Sequence, residues 1–238
     1  MAKRSRRYRA ALDRIEADTL YTPAAALELL KDIGGATYDP TVDAVIRLGV
    51  DTRQADQMVR GAVSLPHGIG KVVKVAVVTG GEKAAQAREA GADLVGGDEL
   101  IEELGAGKHL DGLGAIIATP DMMGKLGRFG KVLGPRNLMP NPKSGTVTMD
   151  VAKAVKEIKA GRVEFRADRN GNVHAVIGKL GFTSEQLLDN YGALLDELVR
   201  LRPSSAKGRY LRSAGVSTST SPGVPIDPSA PVRITADA

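Results

Sequence analysis

Between Met122 and Met149 the chain sets five basic side chains, Lys125, Arg128, Lys131, Arg136 and Lys143, among glycines and prolines, with no acidic residue in the stretch. Cations beside small residues are how proteins cradle phosphate, so nucleotide or polynucleotide binding is the first chemistry to consider. The chain's 33 basic and 28 acidic residues differ by five, so this window alone accounts for the excess. A phosphate-binding loop needs GxxxxGK followed by Ser or Thr, the hydroxyl being required to hold a metal ion. Gly70-Lys71 and Gly130-Lys131 are each followed by Val, and Leu65 and Lys125 stand where the first glycine belongs. Gly68-Ile-Gly70 and Gly112-Leu-Gly114 lack the third glycine of a dinucleotide fingerprint.

Other catalytic chemistry has no better footing. His67, His109 and His174 fall in separate elements without metal-ligand spacing, no serine lies in GxSxG, and there is no cysteine to act as nucleophile or thiolate ligand. Paired carboxylates such as Glu102-Glu103 read as a solvated helix face. The sequence is therefore expected to be neither an enzyme nor a metal site, the alternative being a nucleotide-dependent α/β enzyme built on the middle of the chain. A pI near 9.4 favours an acidic partner. Aromatic residues make up only 3% of the chain, too few for base-stacking platforms. Contact with folded RNA or DNA through phosphates, riboses and shape is the better expectation.

The elements that must position such contacts are legible in the periodicity. Lys3, Arg4, Arg6, Arg7 and Arg9 form a basic arm, and Thr22-Pro23 caps a helix over AAALELLKDI. TVDAVIRLGVD alternates, with Val42, Ala44, Ile46 and Leu48 on one face and Asp43, Val45 and Arg47 on the other, as in a strand with one wet face. VVKVAVV (72–78) and GAIIATP (114–120) are continuous apolar runs, expected of strands covered on both faces. Helices follow or separate them, with Asp98 and Asp121 as expected caps, so the middle reads as βαβ units. Alternation returns in GRVEFRAD and NVHAVIGK, which flank Asn170-Gly171 as an expected hairpin. Thr183 and Gln186 make a capping box for a long helix, striped by Leu187, Leu188, Tyr191, Leu194, Leu195, Leu198 and Leu201. RYLRSAGVSTST is a last strand, and the tail from about Ser221 is expected to be loose at its end.

The expected fold is thus mixed α/β and α+β. A discontinuous α+β domain (residues 1–66 and 161–238) carries an antiparallel sheet with helices, and a Rossmann-like α/β domain (67–160) is inserted within it.

The run ATPDMMGKLGRFGKVLGPRNLMPNPKSGTV (118–147) resembles the signature of the L-one family of large-subunit ribosomal proteins. TVDAVIRLGVDTRQADQMVRGAVSLPHGIGK, GEKAAQAREAGAD, GRVEFRADRNGNVHAVIGK and PSSAKGRYLR resemble family segments in order, covering nearly the whole chain in an actinobacterial style. The resemblance implies a cytoplasmic protein of the large ribosomal subunit, without catalysis, cofactor or membrane. Its outer domain would grip folded ribosomal RNA to form the mobile stalk beside the exit site, and would help deacylated tRNA to leave. It would also bind the messenger RNA of its own operon and repress translation.

Carried over residue by residue, the implied RNA-facing set is Tyr38, Thr41, Arg166, Asp168, His174, Lys179 and the run Ser217, Thr218, Ser219, Thr220 and Ser221. Arg166 and Lys179 suit phosphates, and Asp168 suits a ribose hydroxyl or guanine amine. Ser219-Thr220-Ser221 departs from the family's usual run, Ser221 replacing a glycine able to take positive φ. Lys125, Arg128, Lys131, Arg136 and Lys143 become a secondary basic surface, not the main grip.

Overall fold

A computed structural model describes residues 5–16, 18–136, 138–142 and 145–232. The chain divides into two compact units, one made of Met1–Gly70 and Val163–Ala238, the other of Lys71–Arg162.

The discontinuous unit is built on a four-stranded antiparallel sheet in the order β7-β1-β8-β9, with β1 Thr41–Leu48, β7 Asn172–Lys179, β8 Leu211–Thr218 and β9 Val224–Ile226. The alternation of β1 is realised: Val42, Ala44, Ile46 and Leu48 are buried, and the intervening residues are half-buried or exposed. Helices α2 (Pro23–Ile33) and α8 (Ser184–Arg200) pack on the buried face with Leu27, Leu30, Leu187, Tyr191, Leu194 and Leu198. Thr22 caps α2, and Thr183 and Gln186 close the capping box of α8. α8 also buries a polar residue that the apolar stripe conceals. The side-chain amide of Asn190 donates to Ile177 O (2.7 Å) and Gly68 O (3.0 Å), while its oxygen accepts the His67 N–H (3.1 Å). A short sheet of β2 (Arg60–Ser64) and β6 (Arg162–Arg166) completes this unit, and α1 (Arg6–Leu12) opens it with Ala11 in the core.

The second unit is a parallel sheet in the order β4-β3-β5, with β3 Lys74–Val78, β4 Leu94–Gly96 and β5 Leu113–Ala118. Its apolar runs are continuous because both faces are covered. Val75, Val77 and Ile117 face α3 (Glu82–Glu89) and α7 (Val151–Lys159). Ala76, Val78 and Ile116 face α4 (Asp98–Gly105), α5 (Pro120–Leu126) and α6 (Gly130–Leu133).

Two local expectations are corrected. Gly97 and Thr119, not Asp98 and Asp121, occupy the N-cap positions; the two acids lie inside the first turn, where the helix dipole still favours them. The chain does turn at Asp168–Asn172, but β6 and β7 do not pair, because the Ala167 N–H bonds Val59 O (2.9 Å) and draws β6 to β2, while β7 joins β1. The start of the expected tail forms β9, held by β8 and by a bridge between Tyr21 and Ile226; the end of the tail, from residue 233, lies outside the described residues.

Candidate nucleic-acid interface

Antiparallel pairing brings one end of three strands together. Thr41 opens β1 opposite Lys179 at the end of β7, and Val42 lies opposite Thr218 at the end of β8. The connections continue beyond the strands: Leu180 N donates to Pro40 O (3.0 Å) and Ser219 N to Thr41 O (3.1 Å). A bulge between Val42 and Asp43 adjusts this register on the β7 side. Gly178 sits there at φ 153°, and a Cβ on it would come within 2.9 Å of the Leu187 and Phe182 side chains, so any other residue would be strained. Tyr38, Thr41, Lys179 and Ser217–Ser221 therefore converge at one edge, although they are far apart in sequence.

Tyr38 is 56% exposed, so its ring is available rather than part of the core. Lys179 Nζ donates to Thr41 Oγ1 (3.1 Å) and to Asp39 O (3.3 Å), which holds the ammonium over the strand start. Asp39 in turn accepts the Gly181 N–H at 2.9 Å, fixing the loop after β7. Ser217 is half-buried on the wet face and Ser219 is exposed.

Thr218 is placed differently. It is only 4% exposed, and its Oγ1 accepts the N–H of Ser221 (3.1 Å) and of Thr220 (3.4 Å). Ser221 Oγ accepts the Thr218 N–H (2.9 Å) and donates to Pro222 O (3.0 Å). Two hydroxyls thus close the turn reciprocally. Ser221 is not among the positive-φ residues, so its Cβ causes no strain here. The hydroxyl of Thr220 is buried without a hydrogen-bond partner among the described residues, a polar atom left at the turn's core.

The remaining members spread away from this edge. His174 lies opposite Val45, four residues along β1 from Thr41, or roughly 13 Å at the rise of a strand. Asp168 anchors the turn before β7: Oδ1 accepts the N–H groups of Asn170 and Asn172, both at 2.8 Å, and Oδ2 accepts the Asn172 side-chain amide (3.0 Å). The Asn172 backbone N–H, followed by that amide and the Asn170 N–H, holds the carboxyl below its usual range. Its acidity is used locally, to shape a turn. Arg166 is exposed on β6, in the other sheet, and so does not share the β1 face.

Sequence reasoning named Asp43 only as a wet-face residue and gave it no role. Burial raises its pKa, while the charges of His174 and Lys179 pull it back down. The strict alternation of β1, which puts Asp43 and Arg47 on the same face as Thr41, is the signal that could have included them in the set.

The basic stretch of the second unit is partly neutralised. Lys125 Nζ lies 2.6 Å from Asp98 and Arg136 lies 3.1 Å from Asp111, both acids coming from outside the stretch. Arg128 and Lys131 are exposed, and Lys143 lies outside the described residues. Lys3 and Arg4 of the N-terminal arm lie outside them as well, whereas Arg6, Arg7 and Arg9 ride on α1. Each histidine stands beside a different carboxylate: Asp189 for His67, Glu103 for His109 and Asp168 for His174. Among the described residues no helix is long and apolar enough to cross a membrane, and no three His, Cys, Asp or Glu side chains could hold a metal.

Residues 29–222 match the ribosomal protein L1p/L10e family. The chain is 57% identical to the large ribosomal subunit protein uL1 of Thermobifida fusca over 228 residues, 96% of each chain. It is 58% identical to that of Mycolicibacterium paratuberculosis over 96% of this chain and 97% of the relative. For Cutibacterium acnes the identity is 59%, over 95% and 97%.

Proposed function

This chain belongs to the ribosomal protein L1p/L10e family, one of structural ribosomal proteins and not of enzymes, and from that premise we propose that its discontinuous unit binds a folded segment of large-subunit ribosomal RNA. The observation that carries this reading is the match itself: nearly the whole chain, both units included, is similar to proteins named as large-subunit components. The converging edge supplies suitable chemistry. Thr41 and Ser219 offer hydroxyls, Lys179 an ammonium and Tyr38 an exposed ring, on a rigid sheet whose opposite face is filled by α2 and α8. Hydroxyl and carbonyl groups suit riboses and base edges, and a lone cation suits a phosphate, so this edge is fitted to a shaped RNA more than to a uniform polyanion.

The RNA held in this way, with the protein, forms the mobile stalk beside the exit site, and the second unit moves with or contacts deacylated tRNA as it departs. The same edge takes a similar fold in the operon's own message and represses its translation. Chemical footprinting of purified large-subunit RNA, with and without the full chain, tests the first step. Protection should be confined to one compact, folded region and should be lost with Thr41→Val and Thr218→Val together. Diffuse protection, or protection unaltered in the double variant, would show that the edge is misplaced.

A further inference from the structure

The second unit contains a cleft that ribosomal RNA binding by the first unit does not use. In its sheet β3 is the first strand in sequence, with β4 on one side and β5 on the other, so the chain's path reverses between β3 and β5. Open parallel sheets leave a crevice beyond the carboxyl ends of the strands at such a reversal. Here the crevice is a cleft of about 440 Å³ lined by Thr79, Gly80, Lys83, Thr119, Asp121 and Met122. That volume falls within the range of small-ligand sites.

Three of its features are unsatisfied. Thr79, at the end of β3, is 2% exposed, and its hydroxyl has no hydrogen-bond partner among the described residues. Buried hydroxyls are nearly always paired, so an unpaired one in a cleft wall calls for a partner that comes from outside. Helix α3 starts at Gly81 without a side-chain cap, so its first N–H groups are open to an acceptor. A Cβ on Gly81 would meet nothing within 4 Å, which leaves room for a ligand at this turn. Lys83 Nζ rests 3.2 Å from the thioether of Met149, a poor acceptor, and neither Lys83 nor Asp121 has an ion pair among the described residues.

We propose that this cleft binds a ribose phosphomonoester such as a nucleoside monophosphate. The phosphate sits at the start of α3, accepting from the Thr79 hydroxyl and met by Lys83 turning from Met149, a ribose hydroxyl donates to Asp121, and the base lies on the polarizable thioethers of Met122 and Met149. Asp121 makes the choice of ligand specific: a bare anion would face its charge without compensation, whereas a sugar hydroxyl satisfies it. None of this needs the P-loop or dinucleotide spacings that the sequence lacks, and no catalysis is involved.

Amide NMR of the full chain, titrated with adenosine 5′-monophosphate, tests the proposal. Signals of Gly80, Gly81 and Lys83 should move saturably, and Lys83→Gln should weaken binding about fivefold, the upper range for a solvent-accessible charge pair. Inorganic phosphate and the 2′-deoxynucleotide should bind more weakly, and Asp121→Asn should erase the difference between ribose and deoxyribose. A 5′-phosphorylated ribo-oligonucleotide presents the same chemistry, so saturation by it alone would assign the cleft to an RNA end and not to a free nucleotide. No saturable movement with either probe, or affinity unchanged in Lys83→Gln, overturns the proposal. The spectrum also reports the fold of each variant, and Lys83 lies on the helix surface, outside both core clusters of this unit.

Discussion

Two regions compete for attention, and they differ in how their chemistry is assembled. The stretch from Met122 to Met149 gathers its charges in sequence, yet two of its cations are answered by Asp98 and Asp111 from neighbouring elements. The edge around Thr41 has little charge in any one segment, yet the register of three strands brings hydroxyls, an ammonium and an exposed ring together. Density of charge along a chain thus measures neither net charge in space nor convergence. A site needs groups that arrive from different places and are held by something other than themselves.

The largest effect that would break this contrast is expected at Thr218. Thr218→Val removes the acceptor for two turn N–H groups and should cost about 1–3 kcal/mol in RNA affinity, with a parallel loss in stability. Thr41→Val should cost a similar amount in affinity with little loss in stability, since its hydroxyl accepts only the solvent-accessible Lys179. Filter binding and urea denaturation of the same samples separate the two; equal stability losses would mean that Thr41, too, serves only the fold.

A smaller effect sharpens the other side. Asp98→Asn with Asp111→Asn frees Lys125 and Arg136, so RNA binding without sequence preference should become more salt-dependent, the log–log slope steepening by about 1–2. The footprint itself should not change. A new protected region would restore the basic stretch to the status of a primary site.

The smallest effect concerns two carboxyls of opposite sign. The folded-state pKa of Asp168 lies below its ordinary value of 3.8, so its contribution to stability is present above that value and is lost as pH falls through the folded pKa. Asp168→Asn should therefore destabilise at neutral pH and converge with the parent in acid. The pKa of Asp43 is raised, so its ionised form costs stability at neutral pH, and Asp43→Asn should stabilise there, the gain fading below 3.8. Thermal melts at neutral and acidic pH, compared with the parent, read both signs.

Much of the architecture could be read in advance because it rests on local rules. Alternation in β1, apolar continuity in β3 and β5, and the caps at Thr22 and Thr183 are decided within a few residues. What escaped was decided at a distance. β9 has Pro225 at its centre, which reads as non-strand, but it is an edge strand whose Tyr21 and β8 neighbours supply the pairing. The separation of β6 from β7 depends on Val59, more than a hundred residues earlier. Thr218 carried the same hydroxyl signal as Ser219, and only the register shows that one faces inward and the other outward.

That same register has a temporal consequence. β1 emerges early in synthesis, but both of its neighbours, β7 and β8, come from the last third of the chain. Pairings between such distant segments form late and slowly, because a long loop must close before any contact rewards it. A nascent chain therefore lacks the convergence around Thr41 until β7 and β8 have both been made, more than a hundred residues after β1, so the groups of that edge come together in one late step.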